Sequence, residues 1–468
     1  MRPSSIQRIW VNSPSRRLMT SLGLASAMMV PAWIGCGGQP ADSEQTNATG
    51  ATDSATNSTD ESQTQPPSVA TEMSPADLEQ AIIRDTLRTA ELEGIGRYDQ
   101  AIVLWRDIIA KLQQLHGEDA WQVRSAQLSA DLQRRRGEMT LEQRSRMASI
   151  SEQERRGDRY ASLGQSQDAV VAYTEALQVS AELWGDDCPI TLSLRRKLGA
   201  QQQRTGDEAG AMTSFLAVIN GRSSVFGADH PVTLDAIGDL ARLHEEAGRY
   251  DLAVQQAARR IDGLVASFGE RSAEVAEARN DLGTIYLSAQ DWNRAERELS
   301  SALELRRELF PADSPRIAHS LRNLAMGHLA QQNWNECLEL LTEAIDILEI
   351  AQESESVAEL RLKRGSCYLA LEDLASSEAD FGSARAALEP VQDLAPALYA
   401  DACFKEAYVI GRQGRYDESL PLVERAYAIQ QTQLAPDDPV FVQTGQLLTL
   451  VRAKLDATRI GSQPSTIR

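Results

Sequence analysis

The chain is poor in what most catalytic and cofactor-binding folds need. Aromatic residues make up only 5% of it, and His numbers five, as does Cys. His116, His230, His244, His319 and His328 form no pair at metal-ligand spacing on a helix face, and no CxxC occurs among the cysteines. GxxxxGK[ST] and GxGxxG are both missing, so no phosphate cradle is signalled, and neither is a GxSxG nucleophile turn. No cofactor, no metal and no catalytic residue is expected. Basic residues are in deficit: 47 Lys and Arg stand against 67 Asp and Glu, a formal net charge of -20. Such a surface repels phosphate backbones, which argues against a nucleic-acid partner.

What is present is helix-forming. Ala, Leu, Glu, Gln and Arg dominate, and 42% of the 468 residues are hydrophobic. That composition suits stacked helices rather than sheets. Much of it is repetitive. GRYDQA at 96–101 returns as GRYDLA at 248–253 and as GRYDES at 414–419. Stepping by 42 residues from Gly248 reaches Gly206 and Gly164 backward, and Gln290 and Gln332 forward. Glu372 follows after 40 and Gly414 after another 42, while Gly96 stands 68 before Gly164. These eight positions mark one joint in each of eight copies.

Two further columns hold the same phase. Seven residues before the joints stand Thr89, Gly157, Gly199, Ala241, Gly283, Ala325, Gly365 and Ala407, all small. Nine after them stand Trp105, Tyr173, Phe215, Ala257, Leu299, Leu341, Phe381 and Val423, all apolar. Five after each joint the residue is again small, with Cys337 in place of the usual Ala. Small residues let helices approach and larger ones fill the adjacent hole. Each unit therefore reads as two helices joined at the Gly or Gln, where Gly accepts a left-handed cap. Residues 119–137 read as one helix without a second, which accounts for the longer first step. VFVQTGQLLTLVRAKLDA (440–457) reads as a lone helix closing the last apolar face.

FGADHPVTLDAIGDLARLHEEAGRYDLAV (226–254) resembles the tetratricopeptide repeats of the kinesin light chain type. Their pattern runs GxxHPxT, then LxxLAxxYxxxGxYxxAxxxxxxAL. The resemblance covers residues 78–457 and implies an all-α, right-handed superhelical solenoid of about eight hairpins. It also implies a non-enzymatic protein whose partners lie in a concave groove lined by the first helices. Carried over by column, the groove residues are Arg196, Gln203, Arg242, Asn280, Thr284, His319, Arg322, Met326, Phe404 and Tyr408. Arg196, Arg242 and Arg322, read as one column of the repeats facing the groove, suggest an extended acidic peptide as partner, since the guanidinium fork suits carboxylates. The same Arg residues equally fit ordinary solubilising positions of helices.

The first 36 residues have another character. Arg2, Arg8, Arg16 and Arg17 precede an uncharged apolar run from Leu18 to Gly35, the layout of an export signal. The run ends in WIGC, which resembles a bacterial lipoprotein signal with Cys36 as the lipidated residue, Trp33 standing where Leu is usual. Residues 37–74 carry no Lys or Arg and are rich in Ser, Thr and Gln. A disordered tether of that length spans roughly 35 Å. The organisation expected is a signal over 1–36, a linker over 37–74, a hairpin with an extra helix over 75–138, the main repeats over 139–457 and a tail over 458–468. This places a membrane-tethered interaction scaffold in a bacterial cell envelope, facing the periplasm or cell surface. An adaptor on the cytoplasmic face, held by an uncleaved anchor, and an accessory subunit of an envelope enzyme complex remain as alternatives. In an exported chain, Cys367 and Cys403, 36 residues apart on successive first helices, are candidates for a disulfide.

Overall fold

The computed structural model describes residues 73–461, with the backbone alone over 458–461. Cys36, the expected signal, the linker through residue 72 and residues 462–468 lie outside the described residues. Within them the chain is all-α: eighteen α-helices, one 3-10 turn at Glu389–Val391 and no strand. The described residues divide into two compact units, the first ending at Thr233 and the second beginning at Leu234.

In the first unit α1 (Pro75–Gly94) pairs with α2 (Tyr98–His116), and α3 (Trp121–Gly137) packs on α2. Then α4 (Leu141–Ser162), α5 (Ser166–Trp184), α6 (Pro189–Thr205) and α7 (Glu208–Phe226) pack each on the next. The helix expected without a partner is α3. No second helix follows it, because α4 opens a hairpin with α5 instead. The N-terminal end of α3 reaches the turn after α7, where His230 is 2% exposed. The imidazole meets Trp121 edge-on at 5.1 Å and Phe226 at 4.7 Å between ring centroids. The Val232 backbone N–H donates to Nδ1 at 3.2 Å, and Nε2 lies 2.8 Å from Ser125 Oγ. An Nδ1 that accepts carries no proton, so the neutral ring holds its hydrogen on Nε2 and donates it to Ser125.

The second unit takes in α8 (Pro231–Glu246) from Leu234 onward, α9 (Tyr250–Phe268), α10 (Ala273–Ser288), α11 (Trp292–Leu309), α12 (Pro315–Ala330) and α13 (Trp334–Ile350). It continues with α14 (Ser354–Ala370), α15 (Leu374–Leu388), α16 (Pro396–Arg412), α17 (Tyr416–Gln433) and α18 (Pro439–Gly461). From α9 on, each helix packs against the next, and α18 covers the face of α17 as a single closing helix.

The columns read from the sequence meet in space. A Cβ built on Gly157 would lie 2.6 Å from the Tyr173 ring, and one on Gly199 3.0 Å from that of Phe215. In the second unit a Cβ on Gly283 would lie 2.6 Å from Leu299, and one on Gly365 2.6 Å from Phe381. In each case the small residue seven before a joint faces the large one nine after it. Where the first position is Ala, as at Ala325 and Ala407, the second holds Leu341 or Val423 rather than an aromatic ring. The Ser residues of the third column have a task of their own. Ser377 Oγ donates to Gly365 O at 2.8 Å, and Ser419 Oγ to Ala407 O at 2.7 Å, each tying its hairpin together.

The joints themselves are left-handed throughout. Gly96, Gly164, Gly206, Gly248 and Gly414 have φ of 72–82°, and Gln290, Gln332 and Glu372 adopt 60–62°. A side chain in that region costs about 1 kcal/mol relative to Gly. The neighbouring helices hold the three non-glycine joints there all the same. Gln352 (φ 59°) makes a fourth such turn between α13 and α14. That link is only three residues, 351–353, against five at 310–314, which is why this step of the repeat is 40 rather than 42.

Candidate functional site

In the first unit Arg196 and Gln203 stand half-buried on α6. Beside them Lys197 Nζ reaches back to α4, lying 2.7 Å from Glu154 and 2.8 Å from Asp158.

The other candidates belong to the second unit, on the first helix of each hairpin. Arg242 on α8 is half-buried and pairs with the buried Asp239 one turn earlier. It sits one turn nearer its joint than Arg196 and Arg322 do to theirs, so the three arginines do not share a column. On α10, Asn280, Thr284 and Leu287 fall at i, i+4 and i+7, which is one face. Asn280 is 8% exposed and its Oδ1 accepts from Asn323 Nδ2 on α12 at 3.0 Å. Thr284 is half-buried, its hydroxyl donating to Asp281 O at 2.7 Å. On α12, His319, Arg322 and Met326 are half-buried on the corresponding face. Met326 and Leu329 pack on the core that α11 to α14 share. A Cβ on Gly327 would come within 3.2 Å of Leu287, so α10 and α12 touch closely here. A second strut joins α8 to α10, where Ser288 Oγ donates to Glu245 at 2.7 Å. On α16, Phe404 packs half-buried on the next core cluster and Tyr408 is 38% exposed.

The face thus holds half-buried apolar side chains (Leu287, Met326, Leu329, Phe404) between polar struts. Its cations gather toward α12, α14 and α16. Lys363 on α14 is half-buried, and its pKa is lowered to about 7. Burial is the main cause, followed by repulsion from Lys405 and Arg322, with Glu359 and Asp401 opposing. Lys405 Nζ pairs with Asp401 at 2.9 Å. Lys363 was not among the residues picked from the sequence. It stands nine before its joint, as Lys405 does, a column that a count of charges by phase would have exposed.

Residues 274–349, from α10 to α13, match the family model of the tetratricopeptide repeat. No curated protein matches the chain. Among solved structures it is similar to BtubC (BKLC) from P. vanneervenii, at 19% identity over 53% of this chain and 92% of that one, with a TM-score of 0.40. It is similar to a tetratricopeptide repeat protein from Parabacteroides merdae, at 17% identity over 65% of this chain and 99% of that one, with a TM-score of 0.41. A Rap protein complexed with Competence and Sporulation Factor is a third, at 12% identity over 74% of this chain and all (100%) of that one, with a TM-score of 0.42.

Elsewhere on the described helices the structure gathers little chemistry. No group of three or more His, Cys, Asp or Glu converges as metal ligands among the described residues. No helix among them is long and apolar enough to cross a membrane. The described cysteines are all buried and unbridged. Cys337 is fully buried in its small-residue column, as expected. The sulfur nearest Cys367 is not that of Cys403. It is Cys337, 3.3 Å away across the α13–α14 packing.

Proposed function

We propose that the protein is a protein-interaction scaffold that holds an extended, acidic segment of its partner along the first helices of the second unit. The observation that carries this reading is the face on α10, α12, α14 and α16. There, half-buried apolar side chains lie between polar struts, and Arg322, Lys363 and Lys405 gather at one end. A tetratricopeptide match over 274–349 supports the coarser statement of a protein-binding module. Chemistry plays no part in the proposed role. Apolar contact supplies affinity, and the cations select carboxylates.

Lys363 supplies the signature that tests it. With a pKa of about 7, its amine is largely uncharged above neutrality. A carboxylate placed beside it favours the ammonium form, so binding takes up a proton. Full affinity is then expected below pH 7, falling by up to about tenfold per pH unit as pH rises above it. Isothermal titration of the full chain with a synthetic Asp/Glu-rich peptide of about ten residues at pH 6.5 and 8.5 measures this. Lys363→Met should flatten the dependence. Absence of binding at both pH values would remove the acidic-peptide reading.

The scaffold is further proposed to be tethered to an envelope membrane through a lipid on Cys36, with residues 37–74 giving reach. Intact mass and membrane fractionation of the native chain against Cys36→Ala test the tether. A chain starting at a lipidated Cys36, released from membranes by the substitution, is the expected result. A mass running from Met1 in both forms would end it.

A further inference from the structure

We infer that Cys337 and Cys367 are a disulfide site that staples one tetratricopeptide hairpin to the next. The sulfurs lie 3.3 Å apart, one on the second helix of a hairpin and the other on the first helix of its successor. A disulfide needs them at about 2.05 Å, so closing the bond asks for little more than 1 Å of approach. Two helices with small side chains at their contact can supply that by rotamer adjustment and a slight slide.

Packing alone does not call for two sulfurs here. The column of Cys337 holds Ala253 and Ala295 in the two preceding repeats, and Ser377 in the next. The column of Cys367 holds Leu243, Ile285, Gly327 and Val409. Of the joints between hairpins in the second unit, α13–α14 is where both columns carry Cys. The same joint has the short link 351–353 with Gln352 in left-handed backbone, which leaves α13 and α14 little room to separate. Cys403, the alternative partner for Cys367, lies instead in the cluster around Tyr399 and Phe381.

The reaction is two successive exchanges with a small disulfide such as glutathione disulfide. The thiolate of one cysteine attacks it, forming a mixed disulfide and releasing one glutathione thiol. The second cysteine's thiolate then attacks the protein sulfur of that mixed disulfide and releases the other. Two protein thiols give up two electrons and two protons, and glutathione disulfide takes them up as two thiols. Both sulfurs are 0% exposed, so the first step proceeds during folding or on transient opening of α13 from α14. The same burial shields the finished bond from reductant.

The test is to unfold and refold the full chain in a glutathione redox buffer, quench with acid, alkylate free thiols and map peptides by mass. The expected result is a peptide pair joining Cys337 to Cys367, lighter by two hydrogens than the separate thiols. An unfolding midpoint raised by roughly 5 °C should accompany it and vanish on reduction. Cys337→Ala, which installs the residue of the sister repeats, should fold normally and show neither effect. Alkylation of both cysteines after refolding, or a bond from Cys367 to Cys403, would overturn the assignment. The outcome does not depend on the compartment or on the peptide proposed for the inner face.

Discussion

Replacing Gly365 by alanine is expected to destabilise the second unit by about 1–2 kcal/mol, although alanine is the better helix former. Two effects compete. The helix gains up to about 1 kcal/mol in intrinsic preference when Gly becomes Ala. Against this, the new Cβ would lie 2.6 Å from Cε1 and 2.8 Å from Cδ1 of Phe381, closer than real Cβ contacts come. The ring cannot step aside easily, since Phe381 is 0% exposed within the core shared by α14, α15 and α16. Nor can α14 slide freely, because Ser377 Oγ holds the Gly365 carbonyl at 2.8 Å. Overpacking of this kind costs about 1–3 kcal/mol, so the clash wins. The repeat suggests its own remedy. One hairpin earlier the same two columns hold Ala325 and Leu341, both fully buried. Gly365→Ala combined with Phe381→Leu should therefore recover stability relative to the sum of the single changes. A double-mutant cycle on calorimetric midpoints measures the coupling. Strict additivity would mean that the two columns do not meet as described.

That pairing was legible in the sequence because the columns are a direct image of helix packing. A residue facing a neighbouring helix is constrained in size, and a repeat samples the same constraint eight times. The left-handed joints were legible for the same reason, although Gln290, Gln332 and Glu372 show that packing can impose that backbone without glycine. What the sequence hid were contacts specific to one copy. Cys337 and Cys367 lie on the second helix of one hairpin and the first of the next, so their columns never coincide in an alignment of repeats. Spacing between first helices pointed to Cys403 instead. The buried Arg306, which donates to Arg316 O at 3.0 Å and Ser320 Oγ at 2.8 Å, looks from its letter like a solvated residue. On the candidate face, which residues lie half-buried followed from phase. The downward shift of Lys363 did not, because it depends first on burial among neighbouring helices and then on Lys405 and Arg322 arriving from two of them.

The helix inserted after the first hairpin, α3, yields the second large effect. Nothing in the periodicity says where α3 docks, yet its docking point contains a histidine held well below the usual imidazole range. Burial first, then the positive charges of Arg124 and Arg222, lower the His230 pKa from 6.5 to about 4. Folding therefore favours the neutral ring. The unfolded chain binds a proton near pH 6.5 and the folded chain does so only near pH 4. The stabilisation is fully present above pH 6.5 and is lost progressively as pH falls from there toward 4. Between pH 7.5 and 5 the expected loss is about 2 kcal/mol, approaching 3 at the acid end. Protonation would also place a hydrogen on Nδ1, which now accepts the Val232 N–H, so the charged ring loses that bond and faces two arginines. Opening should start there. Hydrogen exchange over residues 121–129 and 222–233 is expected to accelerate at pH 5 relative to segments of α5 and α6, after correction for intrinsic rates. His230→Gln carries no titrating proton. It should be less stable than the native chain at pH 7.5, with the gap narrowing toward pH 5. A gap that stays constant across that range would mean that the docking of α3 does not rest on the protonation state of His230.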